Sequence, residues 1–229
     1  IKDLTMHLTH GERVGILGPN GSGKSTLLKA ILGEHPLAAG RLTLGKNAKI
    51  AYLSQHRTGL DEDKSILENV AEGGTHVRVG DKDVHAMTYL EKFLFRGSEV
   101  KKPVKALSGG ERTRVALAKL LKQQTNLVLL DEPTNDLDLD TLATLEELLI
   151  EHDITTIVVT HDRWFLDRVA TSILWFEDNG DVTRVAGNFT TVREFRAQNR
   201  VREKEKEKAQ PKESVAPAAP KAGKKGLSY

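Results

Sequence analysis

The sequence predicts an α/β domain in which helices cover a mostly parallel β-sheet. A glycine-rich segment at residues 18–26 lies between an apolar run and a helical pattern, and a second apolar run ends in two acids at residues 127–132. From there on, strand and helix patterns alternate along the chain. Because parallel strands need a crossover between them, usually a helix, this alternation is typical of a parallel sheet with helices on its faces.

The opening of the chain has the pattern of strands interrupted by one helix. Apolar runs predict strands at residues 1–8, 14–17, 41–44 and 50–53, and an amphipathic pattern predicts a helix after Lys24. A helical region follows, with candidate helices at residues 65–71 and 84–95. The later strand and helix patterns lie at residues 127–130, 141–151, 155–160, 163–170, 172–176 and 182–185.

The glycine-rich segment predicts a phosphate-binding loop, because it follows a strand and opens a helix. Backbone amides in such a turn point at an anion, glycine lacks the Cβ that would block it, and the helix dipole adds positive charge. Lys24 would neutralise the β- and γ-phosphates, and Ser25 would offer a hydroxyl to Mg²⁺. A surface turn that matches by chance is the alternative. The predicted nucleotide-binding residues are Gly18, Pro19, Asn20, Gly21, Ser22, Gly23, Lys24, Ser25 and Thr26.

Two adjacent acids, Asp131 and Glu132, follow an apolar run that is too short for a helix and indicates a buried strand. Open α/β sheets bind ligands outside the carboxyl ends of their strands. Asp131 would therefore meet the phosphates and hold Mg²⁺, and Glu132 would polarise the attacking water. The two acids could instead be solvated, or could cap the next element.

A second amide-rich helix start lies at residues 108–111, before a helical pattern at residues 112–121. Ser108 can cap this helix, and the two glycines after it leave backbone amides open to an anion. An ordinary helix cap is the alternative. With the first loop, this segment predicts two separate phosphate-binding devices on one chain.

The order of these motifs resembles that of the ABC-type ATPases over roughly residues 1–196. The positions that match are Gly18–Thr26, Gln55, Leu107–Glu111, Leu129–Asp138 and His161. Glu111 and the segments 131–138 and 160–166 are similar to the ABC-F branch of that family. Within the branch, residues 53–57, 178–180 and 226–229 resemble the second nucleotide-binding domain of Uup-like proteins.

This resemblance implies a P-loop NTPase domain of the ABC ATPase type at residues 1–199. Its mostly parallel core would carry an antiparallel β-subdomain and a helical subdomain at about residues 60–125. Residues 200–229, with nine Lys and Arg against four Glu, would be a linker that leads to a C-terminal domain beyond this sequence. Their Pro-, Ala- and Lys-rich composition cannot bury a core, so they are expected to be a solvated linker or to contact nucleic-acid phosphates non-specifically.

The resemblance also implies ATP and Mg²⁺ as ligands and a role for each matching residue. Glu132, His161 and Gln55 would be catalytic, with Gln55 and His161 contacting the γ-phosphate. Ser25, Gln55 and Asp131 would hold the metal. In this family two domains pack head to tail, so a signature segment of one domain grips the nucleotide of the other, and Asp138 would shape that contact. The signature residues here are Ser108, Gly109, Gly110 and Glu111.

Three functions are compatible with this resemblance. The first is the ATP-hydrolysing domain of an ABC-F protein, which acts on ribosomes or branched DNA through ATP-driven closure with a second ATPase domain, on the same full-length chain or in a dimer. The rival is the ATPase subunit of an ABC membrane transporter. The third, a nucleotide-binding module without hydrolysis, is disfavoured because Glu132, Gln55 and His161 are all present.

Composition indicates where in the cell the protein acts. The chain has no cysteine, which fits a reducing compartment, and no apolar run approaches the ~20 residues needed to cross a bilayer. We therefore expect a cytoplasmic location and no membrane partner.

The family stacks adenine on an aromatic residue ahead of the first strand, but this sequence has no aromatic residue before Tyr52. Either that residue lies ahead of Ile1 or the base is held otherwise, and the preference for ATP rests on the resemblance.

Overall fold

The computed structural model describes residues 1, 2, 4–53, 59–79, 82–122, 125–135, 137–151 and 154–198. The chain divides into two compact units, residues 1–193 and residues 194–229. Of the second unit, residues 194–198 are described, and they are helical.

A six-stranded sheet forms the centre of the first unit. In spatial order its strands are β2 (Ile50–Leu53), β5 (Leu127–Asp131), β6 (Thr155–Val159), β1 (Arg13–Leu17), β7 (Ser172–Phe176) and β8 (Val182–Ala186). Every neighbouring pair is parallel except β7 and β8, which are antiparallel. A separate antiparallel pair consists of β3 (His76–Val79) and β4 (Lys82–His85). The predicted fold class, a mostly parallel sheet with an antiparallel part and helices, is confirmed.

Six α-helices lie wholly within the described part of the first unit. They are α1 (Lys24–Ile31), α2 (Ile66–Ala71), α3 (Ala86–Lys92), α4 (Gly109–Leu121), α5 (Leu139–Glu151) and α6 (Arg163–Val169). Two short 3-10 helices lie at Gly97–Lys101 and Val104–Ala106, and residues 189–193 are helical. In the part of the chain that the structure describes, no helix has the length and apolar composition that crossing a membrane requires.

Both faces of the sheet are buried, which explains the continuous apolar run of β5. Leu127 and Leu129 pack with Leu28 of α1 in one cluster, whereas Val128 and Leu130 point into a second cluster with α5 and α6. A strand covered on both faces needs apolar residues at every position. Each fully buried leucine contributes about 1.5–3 kcal/mol relative to an exposed one, so β5 is anchored from both sides.

The segment before β1 keeps the burial pattern of the strand predicted there, but residues 4–8 are not a strand. Every second side chain packs on the core, namely Leu4, Met6 and Leu8. The backbone makes isolated hydrogen bonds instead of a ladder, such as Lys2 N to Gly180 O at 2.9 Å. The side-chain alternation therefore predicted the burial of this segment correctly and its strand pairing wrongly.

The strand predicted at residues 41–44 is also not formed. Leu42 and Leu44 are 37 and 43 % exposed, so these residues have no buried face. A strand depends on packing against a partner strand and a core, and neither reaches this segment.

The single helix predicted at residues 84–95 is divided in the structure. Val84 belongs to β4 and pairs with Val77 of β3, and α3 starts only after His85. The ring Nδ1 of His85 accepts a hydrogen bond from Met87 N at 3.4 Å and caps the helix. Leu94, with φ of 65°, lies just beyond the end of the helix. Cross-strand packing of a β-branched valine thus outweighs the helical period of this segment.

The helical region holds the start of α4 through its backbone. Residues 62–66 run beside residues 102–105, with hydrogen bonds that include Val104 N to Lys64 O at 3.0 Å. The Arg112 guanidinium of α4 bonds to both segments. It donates to Glu62 Oε1 at 3.0 Å and to Lys105 O at 3.2 Å. The first turn of α4 is therefore fixed to the helical region rather than to the sheet.

Gly18 directly follows β1 and has a conformation that disfavours any side chain. Its φ is 154°, and an added Cβ would lie 2.6 Å from Phe176 Cβ and 2.7 Å from Phe176 O. Gly33 also has a positive φ, 76°, but a Cβ added there would meet nothing within 4 Å. We expect Gly18→Ala to lower the free energy of unfolding by about 1–3 kcal/mol more than Gly33→Ala, because crowding adds to backbone strain. Urea denaturation measures the difference, and equal losses would contradict the expectation.

Candidate nucleotide-binding site

The carboxyl ends of three neighbouring strands meet at one edge of the sheet. β6 lies between β5 and β1, and all three are parallel. The segments that follow them, residues 18–23, 132–135 and 160–162, therefore leave the sheet side by side. This edge is where open α/β sheets bind ligands.

The loop after β1 has the geometry of an anion cradle. Gly21 and Gly23 have positive φ values of 80° and 101°, so the turn depends on glycine. Gly23 occupies the N-cap of α1 without a side-chain cap, and the first turn of the helix carries no acidic residue. The amides at this helix start are therefore open to an anion, and the helix dipole favours one.

The Lys24 side chain is folded into this loop. It is 8 % exposed, and its ammonium donates to Gly18 O and Pro19 O, both at 2.8 Å. An ammonium has three hydrogens to donate, so one remains for a phosphate oxygen. The loop thus brings a buried positive charge next to open amides.

Ser25 and Asp131 form a pair of oxygen ligands beside the loop. Ser25 Oγ lies 3.4 Å from Asp131 Oδ1, which joins the start of α1 to the end of β5. No cluster of three metal-ligating side chains exists among the described residues. Mg²⁺ at phosphate sites needs only one or two protein oxygens, because phosphates and water fill the other positions. This pair therefore fits a magnesium ion that arrives with a nucleotide.

The Ser22 hydroxyl is another feature of the loop that suits a polar ligand. Its Oγ is buried and has no hydrogen-bond partner. Buried polar atoms are nearly always paired, so an unpaired hydroxyl inside a phosphate loop fits an additional contact to a bound group.

Glu132 is held in a strained turn at the end of β5. Its φ of 52° lies in the left-handed region, which costs about 1–3 kcal/mol for a non-glycine residue. Its backbone N–H donates to Val159 O of β6 at 2.8 Å. Glu132 Oε1 lies 3.4 Å from His161 Nε2, and Glu132 Oε2 is buried without a partner. Burial raises the pKa of Glu132, while the nearby His161 opposes that rise.

Two threonines that sequence reasoning missed join these turns. Thr134 Oγ1 and Thr160 Oγ1 are 2.8 Å apart, and Asp162 N donates to Thr160 Oγ1 at 3.0 Å. The signal that could have pointed to them is their place in the sequence, since Thr134 is two residues after Glu132 and Thr160 directly precedes His161.

The predicted signature segment is a capped helix start away from the loop. Ser108 N donates to Glu111 Oε2 at 2.8 Å and Ser108 Oγ accepts from Glu111 N at 3.3 Å, which is a complete capping box. The hydrogen bonds to the Ser108 backbone and hydroxyl lower the pKa of Glu111. Within the described ranges, no hydrogen bond joins Ser108 to residues 18–26. The ordinary cap is thus present, and it uses the Glu111 N–H rather than those of Gly109 and Gly110.

Asp138 links α5 to α4. Its carboxylate accepts from Thr141 N at 2.8 Å, and it forms an ion pair with Arg114 at 3.2 Å. The Arg114 guanidinium also lies over the Phe95 ring, 5.2 Å from its centroid. The other predicted site residue, Gln55, lies outside the described residues, as does residue 136 of the acidic run.

Comparison with known proteins agrees with this geometry. Residues 1–135 match the family model described as ABC transporter. The chain is 44 % identical to the ATP-binding protein Uup of Escherichia coli (strain K12) over 193 residues, which are 84 % of this chain and 30 % of that protein. It is 45 % identical to the energy-dependent translational throttle protein EttA of the same strain over 196 residues, 86 % of this chain and 35 % of that protein. The chain thus spans about a third of the length of these relatives.

Solved structures give the same assignment of the fold. The dimeric structure of MJ0796, a bacterial ABC transporter cassette, superposes with a TM-score of 0.63 at 26 % identity, covering 81 % of this chain and 90 % of that one. A dimeric post-hydrolysis state of the ATP-binding cassette MJ0796, bound to ADP and Pi, has a TM-score of 0.62 at 25 % identity, with 81 and 90 % coverage.

Lys24→Ala tests the phosphate cradle directly. A charged hydrogen bond contributes about 1.5–3 kcal/mol, so the dissociation constant for ATP is expected to rise about 10- to 100-fold. Lys29→Ala, in the exposed last turn of the same helix, is the matched control and should leave ATP affinity unchanged. Isothermal titration with Mg-ATP measures both. Equal affinity of wild type and Lys24→Ala would exclude the loop as the phosphate site.

Proposed function

Because the chain belongs to the ABC transporter family of ATP-binding domains, we propose that it hydrolyses ATP with Mg²⁺ and does so against a second ATPase domain. The resemblance to ABC-type ATPases, and to the Uup-like proteins among them, is confirmed by the identities to Uup and EttA. We propose, in addition, the dependence on magnesium, the pairing with a second domain and the biological target.

One observation carries the proposal of hydrolysis. Three strand ends bring together a buried lysine in a glycine loop, an oxygen pair for a metal, and a carboxylate next to a histidine. Phosphoryl transfer asks a protein mainly for positioning and for stabilisation of charge, and these groups supply both. The predicted roles of Lys24, Asp131, Glu132 and His161 fit this arrangement.

The proposed reaction follows from these groups. Glu132 would orient a water and take a proton from it as the water oxygen bonds to the γ-phosphorus. The bond from that phosphorus to the β–γ bridging oxygen breaks, which gives ADP and inorganic phosphate. Lys24 and the loop amides would stabilise the phosphate charge, and His161 would donate a hydrogen bond to the γ-phosphate. Mg²⁺, held by Ser25 and Asp131, would supply additional neutralisation of that charge when bound.

Two exposed apolar side chains support closure against a partner domain. Leu139 and Trp164 are 83 and 78 % exposed, more than any other large hydrophobic residue described. They lie in the first turns of α5 and α6, and these turns follow β5 and β6 at the same edge as the phosphate loop. Covering such apolar side chains with a second domain would remove them from water, which is favourable. The dimeric structures of the MJ0796 cassette support the same arrangement here.

For the biological target, we propose ribosomes, with branched DNA as the alternative. EttA is named as a translational throttle, and the chain is 45 % identical to it but only 26 % identical to the transporter cassette MJ0796. The higher identity favours an ABC-F role over that of a transporter subunit. A full-length protein with a second ATPase domain would supply the partner.

The dependence of ATPase rate on protein concentration tests the composite site. A rate per molecule that rises with concentration and then reaches a plateau supports sites shared between two copies. A rate per molecule that is constant from nanomolar to high micromolar concentration contradicts shared sites. Co-sedimentation in Mg-ATP separates the targets. The chain is sedimented with 70S ribosomes, with four-way DNA junctions, and alone as the control.

Glu132→Gln should stop turnover without loss of nucleotide binding. The amide keeps the shape of the side chain but cannot take a proton from water, so kcat is expected to fall at least about 100-fold while ATP affinity stays within a few fold. The trapped closed form should sediment as a dimer and shift Trp164 fluorescence to shorter wavelength. Glu147→Gln, an exposed change on α5, is the control. Undiminished hydrolysis in Glu132→Gln would remove Glu132 from the proposed role.

Ser108→Ala and Ser65→Ala separate capping from catalysis. Both serines form a complete capping box, with Glu111 and Glu68 respectively, so each change should cost about 1 kcal/mol of unfolding free energy. Only Ser108 is proposed to contact a nucleotide, so only Ser108→Ala should lower kcat, by at least about 10-fold. Thermal unfolding and steady-state hydrolysis measure the two effects. A parallel loss of activity in both variants would leave Ser108 with a structural role alone.

A further inference from the structure

The turns that carry Glu132 and His161 are joined by a pair of hydroxyls. Thr134 Oγ1 and Thr160 Oγ1 are 2.8 Å apart. Thr160 is 1 % exposed and Thr134 is partly buried, so water competes little for this bond. In the described structure, neither threonine hydrogen-bonds to residues 18–26. The pair therefore does not support the phosphate loop directly.

Thr160 also organises the turn on its own side. Its Oγ1 accepts a hydrogen bond from Asp162 N at 3.0 Å, and Asp162 Oδ1 then accepts from Phe165 N at 3.0 Å and caps α6. His161 lies between the two residues that this bond connects. The position of the His161 ring therefore depends on the Thr160 hydroxyl.

On the other side, the hydroxyl pair closes the turn that holds Glu132. The Glu132 backbone is fixed to β6 by its bond to Val159 O at 2.8 Å, yet its left-handed φ of 52° is strained. Thr134, two residues later, makes the second link from this turn to the end of β6. Two links, one on each side of Pro133, prevent the turn from relaxing away from His161.

We propose that Thr134 and Thr160 are positioning residues whose hydroxyl pair fixes the Glu132 carboxylate against the His161 ring. The two threonines thereby maintain the distance of 3.4 Å between Glu132 Oε1 and His161 Nε2. This inference rests on the proposed function, because the geometry matters only if these two groups act on water and γ-phosphate together. Neither threonine is given a direct contact to water or γ-phosphate in the proposed reaction.

Valine variants test the pair, because valine keeps the shape of threonine and removes the hydroxyl. A misplacement of about 1 Å in a catalytic group costs up to about 100-fold in rate, so Thr160→Val and Thr134→Val should each lower kcat about 10- to 100-fold. The dissociation constant for Mg-ATP should stay within about two-fold of wild type, because the loop that binds phosphate is untouched. Assays use the whole chain at the concentration where the rate per molecule has reached its plateau.

Three comparisons distinguish positioning from a general loss of structure. Thr156→Val removes the hydroxyl of another fully buried threonine, which lies on β6 and donates to Ile154 O, and should leave kcat unchanged. Thr160→Ser and Thr134→Ser keep the hydroxyl and should recover most of the rate. Because both residues form one bond, the double valine variant should lose no more than the worse single variant, whereas independent residues would lose the product.

The outcomes are separable. A wild-type chain that hydrolyses ATP together with unchanged kcat in both valine variants overturns the positioning role alone. A wild-type chain without hydrolysis at any concentration overturns the proposed function and this inference together. The positioning role would also be overturned if the valine variants at 134 and 160 lost ATP affinity as much as kcat. The same holds if Thr156→Val lowered kcat by as much as they do. If Thr160→Val does not fold by circular dichroism, Thr134→Val at the partly buried end decides the question.

Discussion

The parallel register of β5, β6 and β1 is the constraint on which the candidate site depends. Asp131 pairs with Val159 at the end of β6, and Ile16 pairs with the same Val159 from the other side. A slip of one residue in either pairing would turn the side chains of a strand to the opposite face. Both faces are buried, so the two core clusters resist such a slip. The position of Glu132 beside His161, and of Asp131 beside Ser25, therefore follows from core packing.

Local strain at this edge is sustained by the same packing. The phosphate loop needs positive φ at several glycines, and Glu132 adopts a left-handed conformation without being glycine. Residues in such conformations persist when the surrounding structure over-determines them. Here the sheet supplies Val159 O as an acceptor for Glu132 N, and the loop carbonyls hold the Lys24 ammonium. Fixed donors and acceptors of this kind stabilise developing charge without reorganising.

The sequence predicted the parts of the fold in which local pattern and burial agree. The strands at residues 50–53 and 172–176 have the predicted bounds, because an apolar run between turns is also a buried strand in the structure. The β3–β4 pair was missed, since its pairing of Val77 with Val84 joins residues whose periodicity also fits helices. The meeting of Asp131 with the loop could be expected from strand direction alone. The Thr134–Thr160 bond could not, because a contact between two loops is decided by their three-dimensional courses.

The two helix starts differ in charge, and this difference bears on how a shared site would work. α1 begins without an acidic residue and has Lys24 in its first turn, whereas α4 carries Glu111 in its first turn, with a lowered pKa that keeps it ionised. A carboxylate next to open amides reduces the attraction for an anion, so α4 would be the weaker of the two devices. The Ser108 hydroxyl is already engaged with Glu111, since its oxygen accepts from Glu111 N and it also bonds the Glu111 carboxylate. Such a segment would grip a γ-phosphate only when another loop already holds the nucleotide, which would make the proposed closure dependent on ATP.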